Sequence, residues 1–488
     1  MMLMTKPMII SEHRGKLFRI AFFYASIIFI FHGQPVTATN WQVGAGRAFT
    51  LPSQVSTLVQ NADTVTIDAG IYPADVCRWQ ADSLLLRSGG GLAHLQSNGL
   101  SYGDKAIWVI DGVNTTVEWI EFSGCTSTSH NGAGIRQEAE NLVVRHCYFH
   151  NNEDGILSGA YPGKITIEFS EFGYNGYGDG FSHNLYIGHT DTLMFRFNYS
   201  HHCHIGHELK SRASVNIIYC NRISNEALGD ASREIDLPNG GTAVIIGNEI
   251  EQGPNSQNSN IIGFGLEGLS NPAPHELYLS NNTIVNDRSS GSFVQIQNGT
   301  SLYKCRNTIF AGNGTVLNGT ALSLDTSSNL VSAQITSFNF YNTLAYDYRL
   351  TALSPCIDAG VNPGSSSGGD SLLPADEYVH PHDSSSRNLS GLVDIGAYEY
   401  PSTITGVPIS PLQTPLHISY MNRSICIDQI YVTGLVQLFD MTGKCCLQQK
   451  IHPGENTFSL HSMQAGLYII SILQPGSFPV FGKILIPE

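Results

Sequence analysis

Eight short segments of the chain repeat one pattern, in which apolar residues alternate with polar ones and an apolar anchor closes the run. They are VEWIEF (117–122), LVVRHCYF (142–149), ITIEFSEF (165–172), LMFRFNY (193–199), VNIIYCNRI (215–223), VIIGNEI (244–250), LYLSNNTI (277–284) and LYKCRNTI (302–309). The anchors are Phe122, Phe149, Phe172, Tyr199, Ile223, Ile250, Ile284 and Ile309, in steps of 27, 23, 27, 24, 27, 34 and 25 residues. A period of that length marks a solenoid, and alternation inside each unit marks its walls as strands. One coil cannot bury its inward side chains alone, so the coils must stack around a continuous core. Two residues before the anchor, asparagine recurs in four successive coils, at Asn221, Asn248, Asn282 and Asn307. Stacked asparagines at a turn can bond side chain to backbone up a column and tolerate left-handed conformations.

Aliphatic inward positions with asparagine at the corners resemble the right-handed parallel β-helix superfamily. It includes pectate lyases, chondroitinase and alginate lyases, and mannuronan epimerases. The resemblance covers about residues 60–310. It implies an all-β fold and leaves the activity to the site. Composition agrees: charged residues are 13% of the chain and glycine fills 49 positions, which suits strands and turns better than helical bundles. The net charge of −15 argues against a nucleic-acid binder, although an acidic protein can still carry a basic groove for an anionic sugar.

Both ends differ from the repeat. Lys16 and Arg19 precede the apolar run IAFFYASIIFIF (20–31), and VTA (36–38) offers small residues, so a secretory signal peptide cleaved after Ala38 is expected. That run falls short of the ~20 residues that span a bilayer. Residues 46–72 read as the entry to the coils, with a short amphipathic stretch to plug the core, and the coil region extends over 39–345. YDYRLTALSPCIDAG (346–360) and GLVDIGAYEY (391–400) resemble the closing segments of bacterial surface β-helix proteins, and 401–415 is a Pro-rich linker. The tail, 416–488, has an MTGK hairpin turn, a GEN turn and QAGLYIISI, and reads as a small β-sandwich. It resembles the C-terminal sorting domain of type IX secretion, on the pattern Met463 to Tyr468 and the final strand carrying Lys483. That resemblance implies outer-membrane secretion machinery as a partner and the cell surface as destination; a monomer is expected. The ten cysteines show no CxxC pair and several sit in strand-like segments, so buried free thiols are expected rather than a zinc site on Cys203.

Chemistry concentrates in HHCHIGHELKSR (201–212). Alternation turns Leu185, Ile187, Leu209, Ile235 and Leu237 inward. It turns Asn184, Tyr186, Glu208, Lys210, Arg212, Glu234 and Asp236 outward, where they would form one polar strip across coils ~4.8 Å apart. The 26-residue steps Asn184–Lys210–Asp236 match the coil length, and Arg136 extends the strip by an earlier coil. His183, Tyr186, His201, His202, His204 and His207 crowd the same coils. Two readings stay open: a solvated face whose charges pair up the stack, with some histidines filling turns, or a site.

As a site, the strip fits β-elimination on a uronic-acid polysaccharide. That reaction needs neutralisation of a carboxylate, a base for the C5 proton and an acid for the leaving oxygen. Lys210, Arg212, His207 and Tyr186 are the catalytic candidates, and Asn184, His183, Arg136 and Arg233 the substrate-binding ones. Glu208, Glu234 and Asp236 are the carboxylates that would hold Ca²⁺. The run ELKSR followed by VNIIYCNRI resembles the calcium-dependent chondroitinase and alginate lyase family. That family has a second basic residue in the next coil, where this chain has IDLPNGG (235–241), so Arg212 or Arg233 must substitute or the chemistry differs. PNGG lacks the Lys-Ser/Thr of a nucleotide loop and reads as a turn. Residues 253–260 and 265–276 read as projecting loops beside the strip. The expectation is an exported polysaccharide lyase, with a non-catalytic surface adhesin as the alternative.

Overall fold

A computed structural model describes residues 38–401 except 390 and, with short breaks, 417–486. The expected signal peptide and Pro-rich linker lie outside these residues, apart from Ala38 and Pro401. The chain is nearly all β, built from long parallel sheets in the manner of a parallel β-helix, with small antiparallel sheets at the C-terminal end. It divides into two compact units: residues up to Met194 together with Cys203–Ala213, and Phe195–His202 together with Ser214 onward.

In the first unit one wall is formed by Cys77–Trp79, Ala106–Ile110, Ala133–Gln137, Asp154–Ser158, Leu185–Ile187 and His207–Ser211, each parallel to the next. Its inward column, Cys77, Trp108, Ile135, Ile156, Leu185 and Leu209, has essentially no exposure. The opposing side stacks Phe122, Phe149 and Phe172, whose rings lie 4.8 Å apart at each step. That spacing is the distance between hydrogen-bonded strands, so the aromatic stack and the backbone ladder enforce the same register. The entry segment makes a 3₁₀ turn, Pro52–Gln54, and buries Val55 and Val59.

The second unit continues the same grammar. Val215–Tyr219, Thr242–Ile246, Glu276–Ser280 and Thr300–Arg306 pair in parallel, and Arg233–Leu237, Asn260–Phe264, Ser292–Ile296 and Thr315–Asn318 form another wall. The asparagine column is real, but shifted. Asn198 Nδ2 donates to Asn221 at 3.1 Å, Asn221 to Asn248 at 2.9 Å and Asn248 to Asn282 at 3.0 Å. Asn307 is not its next member: Thr283 registers with Ile309 and Ile284 with Phe310, so Asn307 falls beside Asn281, in the left-handed position before the ladder. Likewise Ser200, not Tyr199, registers with Ile223. The segments expected to close the fold lie along the coils: Tyr348, Cys356 and Ile395 pack on Val285 and Ile309, and Leu372 packs on Val244 and Tyr278.

The tail forms two antiparallel sheets, one of three strands and one of four, around Ile425, Val436, Leu438, Phe458, Tyr468 and Ile470. The tyrosine of the sorting-type pattern is thus a core residue, and Lys483 pairs with Ile469. Among the described residues seven cysteines are buried free thiols, as expected, whereas Cys445 and Cys446 are exposed.

Candidate active site on the first unit

Strict alternation fails at one place on the first unit's wall. Gly134 and Gly155 occupy one register position, and a Cβ there would fall 2.7 Å from the Phe149 ring and 3.1 Å from the Phe172 ring respectively. They face the core, although the next residues, Ile135 and Ile156, are core residues too. Two consecutive inward positions mean that the residues on either side, at i and i+3, both turn outward. Ala106, Val109, Ala133 and Leu157 accordingly form an apolar cluster of their own, separate from the core.

This bend corrects the expected strip. Asn184 and Glu208 take the register position of Gly134 and Gly155, so they point inward and are 0% exposed. Asn184 Nδ2 donates to Glu208 Oε2 at 2.5 Å, and Glu208 Oε1 accepts the Cys203 N–H at 2.9 Å. Glu208 thereby ends a buried ladder that runs from Asn152 through Asn175 to Asn184, giving the last amide an acceptor. The register also differs: Tyr186 pairs with Lys210, so the step is 24 residues and Asn184 sits beside Glu208, not Lys210. Glu234 and Asp236 are buried in the second unit rather than solvated; Gln252 donates to Glu234 at 3.2 Å and Arg233 to Asp236 at 3.1 Å. Each carboxylate of the expected calcium set thus has its own protein partner, and Arg233 is committed to Asp236 and Asn260.

What the bend brings together is a second arrangement of the same residue types. One outward column runs Val109, Arg136, Leu157, Tyr186, Lys210, which places Arg136 in line with Lys210 as the sequence suggested. The column beside it runs Ala133, Asp154, His183, His207. The His183 ring lies parallel to Tyr186, with centroids 5.7 Å apart, and meets His207 edge-on at 4.8 Å. Arg212 Nε donates to the Tyr186 hydroxyl at 2.7 Å, with its guanidinium over that ring. Lys210 is 9% exposed and His207 7%, and His207 Nε2 has no contact with solvent, so these two side chains are buried rather than set on an open face.

Hydrogen bonding assigns the imidazole tautomers. The His207 backbone N–H donates to His183 Nδ1 at 3.0 Å, so a neutral His183 carries its proton on Nε2. His207 Nδ1 lies 3.2 Å from the same acceptor, so its proton sits on Nδ1 and Nε2 carries the lone pair. Asp154 was not found from the sequence, because it lies outside the 26-residue alignment that defined the strip. It accepts the His183 backbone N–H at 2.7 Å, and burial pushes its carboxyl well above the usual range. The loop leading into His183 carries Tyr177 and Phe181, the latter 84% exposed, and His130 stacks on Tyr177 at 3.7 Å. Farther along the outward column a small hollow is lined by Arg78, Tyr102, Lys105, Val109 and Glu138.

The other histidines of the 201–212 run lie elsewhere. His204 is exposed in a turn, where its N–H donates to Asn175 at 2.7 Å. His201 and His202 belong to the second unit, their Nδ1 atoms 2.9 Å apart and His201 stacked on Tyr199. Cys203 is fully buried and its thiol is pushed well up by burial, as for a core thiol. A different trio, His94, Glu121 and His150, lies on another outer face of the first unit. It was not legible, because each is a single polar residue in an ordinary alternating strand.

No protein-family model matches this chain, and no curated protein matches it. Among the described residues no helix is long and apolar enough to cross a membrane.

Proposed function

We propose that the protein is an exported lyase that cleaves uronic-acid-containing polysaccharide by β-elimination at the wall around His207 and Tyr186. The observation that carries this reading is the His183–His207 pair set directly beside Tyr186 and Arg212. A base, an acid and fixed positive charge lie within one bend of the wall.

Each group has a role that its geometry favours. Lys210 and Arg212 face the sugar carboxylate and hold the negative charge that grows on it as the C5 proton leaves. His207 Nε2, the lone-pair nitrogen, is covered in this structure and takes that proton once the side chains over it move aside for the sugar. The C5–H electrons form the C4–C5 double bond, the C4–O bond breaks, and the leaving oxygen takes the Tyr186 hydroxyl proton. The Arg212 N–H already aimed at the phenol oxygen meets the charge left there. Arg136 and the hollow beside it extend the binding face to neighbouring acidic sugars, and the exposed Phe181 and Tyr177 rings suit the apolar faces of sugar rings. The tail's antiparallel sheets and its Met463–Tyr468 pattern support its role as the type IX sorting signal that delivers the enzyme to the cell surface.

The test is incubation of the purified protein with a panel of acidic and neutral polysaccharides, followed by ultraviolet absorbance, with and without chelator. Acidic chains are expected to give absorbing unsaturated ends and neutral chains none. Tight binding without any unsaturated product would replace the lyase with an adhesin.

A further inference from the structure

The first unit carries a second constellation on the strands Leu85–Gln96, Ile120–Ser123 and Tyr148–His150. His94 registers with Glu121, and Glu121 with Tyr148; Ser123 registers with His150. His94, Glu121 and His150 are therefore outward residues of three successive coils, all half-buried. We propose that they form a binding site for a divalent transition metal of the zinc class.

Three features carry the assignment. The donor set, two imidazoles and one carboxylate, is the set that zinc and its neighbours take when a position is left open for water or substrate. The distances fit: His150 Nε2 lies 3.0 Å and His94 Nδ1 3.4 Å from Glu121 Oε1, and all three donor atoms lie within 4.8 Å of one another. Metal–ligand bonds of about 2.0–2.1 Å at tetrahedral angles put donor atoms about 3.3 Å apart. Third, each imidazole has its remote nitrogen held. His150 Nδ1 lies 2.7 Å from Asn151 Oδ1, and His94 Nε2 lies 2.7 Å from Ser123 Oγ. An amide oxygen can only accept, so the His150 proton is on Nδ1 and Nε2 is the ligating atom. The Ser123 hydroxyl can accept from His94 in the same way, leaving Nδ1 for the metal. Outer partners of this kind orient ligating histidines and set their tautomer. Tyr148, stacked on His150 at 4.3 Å, fixes the ring plane. A lone His–Glu hydrogen bond would explain one of these contacts but not the convergence of the second imidazole.

The experiment uses the full chain, stripped with chelator and titrated with Zn²⁺ against a chromophoric chelator, with Co²⁺ as a visible-absorption reporter of geometry. One tight equivalent is expected in the wild type, lost in His94→Ala and in His150→Ala. Asn151→Ala and Ser123→Ala should weaken binding about 10–100-fold. His207→Ala and the Cys445→Ser/Cys446→Ser pair should retain the equivalent, which separates this site from the His183–His207 group and from the exposed thiols. Wild type without a tight equivalent, or equal stoichiometry in wild type and both alanine variants, overturns the assignment. Should the alanine variants fail to fold, His150→Gln and Asn151→Ala carry the same test.

Discussion

The role proposed for His207 rests on a neighbour's lone pair rather than on its own residue type. Its backbone N–H and its Nδ1 both address His183 Nδ1, which leaves Nε2 as the basic nitrogen of a ring that is nearly buried. Loss of a positioned general base typically slows a reaction by ~10²–10⁴-fold. His207→Ala is therefore expected to reduce turnover on the susceptible polysaccharide by that factor, and Tyr186→Phe to do the same without changing the ring packing. Melting temperatures measured beside the rates should stay close to wild type. Lost folding with turnover per folded molecule intact would make these residues structural. Sequence reading chose both residues for their chemistry, but it set them beside Asn184 and Glu208, which the bend at Gly134 and Gly155 turns into the core.

Each coil wall is held by an inward aliphatic column and an amide ladder at its corner, and the two tolerate change differently. Leu209 is 0% exposed in the column below Leu185. Leu209→Asp puts an unpaired carboxylate into that column and should cost several kcal/mol, about the upper range for single substitutions, read as a large fall in thermal midpoint. An unchanged midpoint would mean that the inward phase of this strand is wrong. In the second unit, Glu249 is buried against Arg222 at 3.3 Å and accepts the Tyr398 hydroxyl at 2.9 Å. Burial raises its carboxyl to about 7, against the opposing pull of Arg222 and Tyr398. A folded pKa above the unfolded one means stability that is complete below the unfolded value and lost as pH rises through about 7. Between about pH 4.5 and 7 the loss is at most ~1.4 kcal/mol per pH unit. Burial raises Glu251 as well, so the trend has the same sign there. Denaturant unfolding should give a more stable protein at pH 6 than at pH 8, and Glu249→Gln should flatten the difference. Greater stability at pH 8 would show that Glu249 stays ionised in the fold.

Over the whole molecule, coils and tail are built on different rules: parallel strands closed by stacking, and antiparallel sheets around their own core. A tail with its own core can be removed without opening the coils. Removal of residues 416–488 is therefore expected to leave a protein that melts cooperatively but no longer reaches the cell surface, as assayed by surface labelling against total protein. Normal surface display of the truncated chain would remove the sorting role from the tail.

The repeat, its strand phase and the asparagine corner were legible because they depend on a local, periodic demand: every coil must bury alternate apolar residues and satisfy the same turn. Leu185, Leu209 and Ile235 followed from that demand alone. Register was less legible. Asn307 resembles Asn282 in its NTI context, yet the ladder pairs Thr308 with Asn282, because hydrogen-bonded alignment follows the residues that face the core, not the similarity of neighbouring letters. The site was the least legible part. Glycines at 134 and 155 carry no signal of their own in the sequence; in the fold they lie against Phe149 and Phe172, where no Cβ fits, and make the wall bend. That bend sends Asn184 and Glu208 inward as a ladder and gathers Asp154, His183 and His207 beside Tyr186. A charge's role is set by which coil stacks above it, and stacking joins residues some 23 to 34 positions apart. Alternation within a single strand carries no information about that contact.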